Sequence, residues 1–367
     1  MTGRALKLIS AIDLLCLWQI AGNPMKTRLD VFRFSLVVVV FAAIAACGGG
    51  GDAALPSSTS PAPSAGPAKV ATLPAGTSPS VTTANCPLLV ATTTTAPTLS
   101  GADMLFVNDL LLAVDPAHGY AEFARLPGTF MWWLRSGSTS VDMLSLGAAV
   151  HETNHKIDSA LRNLCNADGL ARFFAEGQVY VTDISRNDKL ANYSIAGETY
   201  PTSLKSSRGF RYDLYVTAAA SSNGNDLSIL LDELNAYTGG ANLEVKLFSN
   251  PTYSTLTTRA DADAGGMVDF MLFLQAYLQA ARLNHPATYT TLQAQVRTKA
   301  FIQFAWTRAE RVLAAAYPYS TAASPSNAAR IPVDVLRAVY SGEFLRELDL
   351  LGIVHKAPAD WALTYLQ

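Results

Sequence analysis

The five residues His151-Glu152-Thr153-Asn154-His155 combine two imidazoles and a carboxylate at a spacing that could bind a metal and move a proton. In a helix, at about 100° per residue, the two imidazoles stand one turn apart on one face. Ring nitrogens placed in this way converge on a point and can share a tetrahedral cation, with zinc the best fit to the spacing. Zinc so held lowers the pKa of bound water to about 7 and polarises a carbonyl. Glu152, beside the first imidazole, is then placed to take the proton of that water and deliver it to a leaving amine. The chain has only five histidines, so a His-rich composition does not explain the pattern.

Such chemistry requires a helix under the motif, and the flanking sequence supplies one. From Asp142 to Leu164, Met143, Gly147, Val150, Ile157, Leu161 and Leu164 recur at three- and four-residue steps, an amphipathic stripe with Asn154 as its polar interruption. His151 and His155 lie on the flank of that stripe. Asp158, close to one turn beyond His155, is either a group that orients an imidazole or a solvated helix residue. The same residues contain Glu-x-x-His, half of a di-iron carboxylate motif. The remaining histidines, His118, His285 and His355, follow Asp115, Arg282 and Gly352 at that spacing, so the second half is missing. A third histidine six residues after His155, the metzincin pattern, is excluded because position 161 is leucine.

A catalytic zinc site needs one more protein ligand and an open position. The segment Leu227 to Tyr237 reads as a helix with Leu227, Leu230, Leu231 and Leu234 inward. Glu233 lies on the edge of that stripe, whereas Asp232 points farther toward the opposite face, which favours Glu233 as the ligand. His151-Glu152-x-x-His155 followed by Glu233-Leu-Asn-Ala-Tyr237 resembles the gluzincin arrangement of zinc metallopeptidases, over roughly 90 residues. The resemblance implies Zn2+ held by His151, His155 and Glu233, Glu152 as general base, and a peptide or protein substrate. Gluzincins often stabilise the reacting oxyanion with a downstream Tyr or His; Tyr237 is preferred here over Tyr215, His285 and Tyr289.

Around these residues the apolar spacing predicts helices at about 101–113, 140–164, 226–238, 263–283, 288–316 and 332–351. Two β-like runs, 178–182 and 211–217, could pair as a hairpin. The expected fold class is α+β and predominantly α-helical: a zincin-like active-site helix, a small β-hairpin and a C-terminal helical portion. Phe130-Met131-Trp132-Trp133 reads as core packing. The pair Asp261 and Asp263 reads as a helix cap, and the stretch from Glu343 to Asp349 as an acidic helix in register with leucines.

The N-terminal quarter reads as targeting and tether. A basic start at Met25-Lys26-Thr27-Arg28, the apolar run Phe34 to Ala46 and small residues before Cys47 describe a secretory signal. The run is short for a membrane span, which takes about 20 apolar residues. Ile44-Ala45-Ala46-Cys47 resembles the bacterial lipobox, which implies a lipid on Cys47 after cleavage and a membrane anchor there. Gly48 at the following position implies outer-membrane sorting by the same resemblance. Residues 1–47 are thus a signal region with its true start at Met25, 48–97 a flexible tether of Gly, Ser, Thr, Pro and Ala, and 98–367 the helical domain. Cys86 and Cys165 remain as a disulfide candidate in an oxidising compartment. Half of the chain is apolar, 15% is charged and the formal net charge is -2, without the basic surplus that nucleic acid requires. The reading from a different class is a non-catalytic envelope lipoprotein that binds a partner through its helical surface, its motif degenerate or structural.

Overall fold

A computed structural model of the chain describes residues 101–134, 143–163, 168–185, 188, 190–205, 210–217, 226–256, 262–320 and 331–358. All of them fall in the second of two compact units, Ala75–Gln367. Cys47, the expected lipidation site, the disulfide candidates Cys86 and Cys165, Asp261, and the expected signal and tether segments lie outside the described residues.

The described residues are mostly helical, with one two-stranded antiparallel sheet. Helix α1 (Gly101–Val114) is followed by the short α2 (Gly119–Arg125) and α3 (Pro127–Leu134), and then by the motif helix α4 (Leu146–Asn163), entered through a 3-10 turn at Met143–Ser145. Strands β1 (Leu170–Ala175) and β2 (Gln178–Ser185) form a hairpin, and α5 (Ala196–Thr199) is a single turn. The C-terminal part holds α6 (Leu227–Ser249), α7 (Ala262–Asn284), α8 (Pro286–Ala294), α9 (Val296–Ser320), α10 (Val333–Val339) and α11 (Gly342–Leu351). Among the described residues no helix is long and apolar enough to cross a membrane.

Helix α7 is the centre of the packing. From Met267 to Ala281 it buries apolar residues all round its circumference, including Phe270, Met271, Phe273, Leu274, Tyr277 and Leu278, as a helix enclosed by neighbours must. Helix α6 packs against both α7 and α4, and the hairpin lies over α4 and α9. Helix α6 begins at Asp226, whose carboxylate accepts the Ser228 amide at 2.8 Å. It runs well past the expected end at 238. Gly239 and Gly240, just past that expected end, lie at a close crossing. A Cβ on Gly240 would stand 2.9 Å from the Gly147 carbonyl of α4 and closer still to Asp263. The glycine costs about 1 kcal/mol of helix propensity and lets the two helices approach.

Several expected elements are corrected. The run 211–217 is a π-helical turn at Tyr212–Thr217 rather than a strand, because Tyr212, Leu214, Tyr215 and Val216 are all buried and bury better on a helical turn. The partner of β2 is β1, Leu170-Ala-Arg-Phe-Phe-Ala, in which apolar and polar residues do not alternate. The hairpin closes through Glu176 and Gly177, both at positive φ (50° and 75°), the requirement of a two-residue primed turn. The expected helix 288–316 is two helices meeting at Gln295, and 332–351 is two meeting at Tyr340-Ser341. Phe130, Met131 and Trp133 are core residues as expected, and Trp132 is 46% exposed.

Candidate metal centre

Helices α4 and α6 cross where the motif sits, and the crossing brings three expected ligands together. His151 Nε2 and His155 Nε2 are 3.0 Å apart. Glu233 Oε2 lies 3.7 Å from the first and 3.4 Å from the second. Ligand bonds of about 2.0–2.1 Å at tetrahedral angles separate ligand atoms by about 3.3–3.4 Å, and the three distances bracket that value. Among the described residues, His151, His155 and Glu233 are the group of His, Cys, Asp or Glu side chains that could hold a metal ion.

The chemistry of these atoms fits a cation. Glu233 Oε2 is buried without a hydrogen-bond partner, and so is His151 Nδ1; a buried carboxylate oxygen left so costs free energy unless a positive centre faces it. Burial holds the His151 imidazole well below its ordinary pKa, with the charges of His155 and Arg211 adding to the effect. It is therefore neutral at pH 7, the form in which imidazole binds a metal. Solvent approaches from one side: His155 and Asp232 side chains are 12% and 17% exposed, whereas His151, Glu152 and Glu233 are buried.

Asp232 requires a correction. It does not point to the far side of α6; its Oδ2 lies 3.0 Å from His155 Nδ1. Adjacent residues of α6 straddle the crossing line, so Glu233 faces the metal position while Asp232 faces the back of the same imidazole. His155 Nδ1–H donates to this carboxylate, which leaves the Nε2 lone pair for a metal. Asp158 lies near Asp232, and the two carboxyls influence each other. Burial pushes the Asp158 carboxyl well above its ordinary value, and the charge of Asp232 pushes it further. Burial also raises Asp232, but the neighbouring His155 outweighs it and holds that carboxyl below its usual range. The pair thus keeps its proton on Asp158, and Asp158 acts on His155 through Asp232.

Asn154, the polar interruption of the α4 stripe, is a structural clamp that sequence reasoning missed. Its amide donates to the Phe174 carbonyl at 2.7 Å and to Glu122 Oε1 at 3.1 Å. Asn235 of α6 donates to the same carbonyl at 2.9 Å and to Asn154 Oδ1 at 2.9 Å. The Phe174 amide donates to Asp158 Oδ1 at 2.6 Å. One residue of β1 is thereby held through both its amide and its carbonyl by α4 and α6 together, which fixes the rotation of both helices. The signal that could have found it is an amide inside an apolar stripe, which is tolerated only when fully bonded.

Tyr237 joins the centre. Its ring packs edge-on against His151, centroids 4.2 Å apart, in space that Gly266 leaves open: a Cβ there would meet the ring at 2.3 Å. Its hydroxyl accepts from Arg211 Nε at 3.0 Å, and Arg211 also donates to Asp269 Oδ2 at 3.3 Å. Arg211 gave no signal in the sequence, since its segment read as a strand. The other oxyanion candidates are engaged elsewhere: His285 Nε2 is 2.9 Å from Glu198, Tyr215 stacks edge-on with Phe270, and Tyr289 is buried beside Arg282 and Glu347. The remaining acidic stretch is structural, Glu347 pairing with Arg282 at 2.6 Å and Glu343 accepting from Gln279 at 3.0 Å. Comparison with family models, with curated proteins and with solved structures gives no match.

Proposed function

We propose that the protein is a zinc-dependent metallopeptidase, lipid-anchored at Cys47 on the cell envelope, with the zinc held by His151, His155 and Glu233. The observation that carries this reading is the convergence of two imidazole nitrogens and a carboxylate oxygen, at separations that bracket the tetrahedral value, with Glu152 next in sequence to the first. Bound there, zinc supplies a Lewis acid for the scissile carbonyl and acidifies water. Glu152, 1% exposed, takes the proton of the attacking water and returns it to the departing amine. Asp232 holds the His155 ring in the tautomer that the metal needs. The Tyr237 oxygen already accepts from Arg211, so its own hydrogen serves as a donor to the carbonyl oxygen as negative charge develops there. The apolar run ahead of Cys47 supports export.

The second reading, a non-catalytic lipoprotein with a structural metal, draws on the depth of the centre: His151 is 4% exposed and Glu233 1%. Metal analysis and peptide hydrolysis by wild type and Glu152→Gln separate the two. The peptidase reading expects stoichiometric zinc in both proteins and a loss of hydrolysis in the variant of about 10²–10⁴-fold, the usual contribution of a general base. Stoichiometric zinc in a wild-type protein that cleaves no member of a broad peptide library favours the structural metal.

A further inference from the structure

A second cluster, independent of the metal centre, lines a cavity of about 450 Å³ between the α1–α2 connection, the hairpin turn, α6 and α9. Its wall is a chain of alternating charge. Lys246 Nζ donates to Asp115 Oδ1 at 2.8 Å, and His118 Nδ1 lies 2.9 Å from the same oxygen. His118 Nε2 is 3.1 Å from Glu176 Oε1, which also accepts from Arg311 Nη2. The chain therefore ends in a cation on each side, one from α6 and one from α9, and both ends face the cavity.

Both carboxylates have several donors. Asp115 also accepts from the Gly119 amide and from Asn242, and Glu176 has Arg308 Nε at 3.8 Å as a further cation. Arg308 also has Glu122 beside it, so Lys246, Arg308 and Arg311 stand among the three carboxyl groups of Asp115, Glu122 and Glu176. Among the described residues Lys246 uses one of its three donors and Arg311 one of its five. Both side chains are partly exposed, at 38% and 59%. The lining also includes the aliphatic Val245, Val312 and Ala315. The volume is that of a small-molecule site. The hairpin also spends strain here, because Glu176 is held at a left-handed φ of 50°, which costs about 1–2 kcal/mol in a non-glycine residue.

We propose that this cavity binds a small aliphatic carboxylate, its head bridging Lys246 and Arg311 and its tail against Val245, Val312 and Ala315. An α-amino acid of the same shape binds more weakly, because its ammonium comes beside Lys246 and Arg311.

Calorimetric titration of the purified protein with 4-methylvalerate, leucine and inorganic phosphate tests this. The expected result is binding of 4-methylvalerate at about 1 mM, with leucine and phosphate each weaker by about tenfold or more. Arg311→Gln weakens 4-methylvalerate by about tenfold while Arg311→Lys retains most of it. Ala315→Glu, a change at an exposed position that leaves the fold undisturbed, abolishes binding. No heat with 4-methylvalerate, undiminished binding in Ala315→Glu and Arg311→Gln, or leucine binding as tightly as 4-methylvalerate each overturn the proposal. Phosphate binding as tightly as 4-methylvalerate overturns the role given to the aliphatic wall.

Discussion

At the scale of residues, the imidazole pair was legible from helix geometry, and its meeting with Glu233 was expected from the likeness of the two motifs to the gluzincin arrangement. Two histidines one turn apart must share a face, and Glu233 sits at the edge of a leucine stripe. The role of Asp232 was not legible, since a helical wheel does not say where a second helix crosses. Its position behind His155 makes a direct prediction. Asp232→Asn keeps the ligand set but gives up the charged partner of Nδ1–H, so zinc affinity falls by about 10–100-fold, the usual effect of losing such a partner. Competition with a chromogenic chelator measures it, and unchanged affinity contradicts the assigned role. A second prediction concerns Asp115. Burial raises its carboxyl, but hydrogen bonds and charge from His118 and Lys246 outweigh this and hold it at about 2, below the ordinary 3.8. A depressed carboxyl stabilises the fold above its unfolded value and loses that contribution as pH falls toward the folded one. Asp115→Asn therefore costs about 2 kcal/mol at neutral pH. By urea melts, this difference shrinks between about pH 4 and pH 2. A difference that stays flat across that range contradicts the ionised, paired Asp115.

At the scale of elements, long amphipathic helices were readable and their interruptions were not. The ends of α1 and α7 fall close to expectation, because their apolar patterns stop where the helices stop. Helix α6 was cut short at Gly239-Gly240, where the small residues serve a helix crossing, a tertiary fact with no local signature. The segment 212–217 was misread for the converse reason: its aromatic and β-branched residues suit a strand, and burial overrode that preference. What joins the elements is the clamp on Phe174. Asn154→Ala leaves the buried Phe174 carbonyl with one amide donor instead of two and removes the donor to Glu122. A loss of about 2–3 kcal/mol in denaturant unfolding follows, the cost of breaking a buried network. Because the clamp sets the rotation of α4 and α6, zinc affinity falls with it. Loss of stability without loss of affinity places the clamp outside the positioning of the metal centre.

At the scale of the whole molecule, the α-rich class with a small antiparallel sheet followed from composition and periodicity, but the order of packing around α7 did not, since a helix buried on every side looks the same whichever neighbours enclose it. The metal reading links this packing to stability. The ligands come from α4 and α6, so a bound ion braces two central helices and stabilises the fold by mass action, by about 2.7 kcal/mol when free zinc is 100 times its dissociation constant. A chelator consequently lowers the melting temperature of wild type and leaves His151→Ala unmoved; equal melting with and without chelator contradicts the brace. X-ray absorption at the zinc edge of the purified protein tests the central claim most directly. The account predicts two imidazole nitrogens with oxygen completing a tetrahedral shell, all at about 2.0–2.1 Å. Sulfur in the shell, a single imidazole, or six-coordinate oxygen contradicts it.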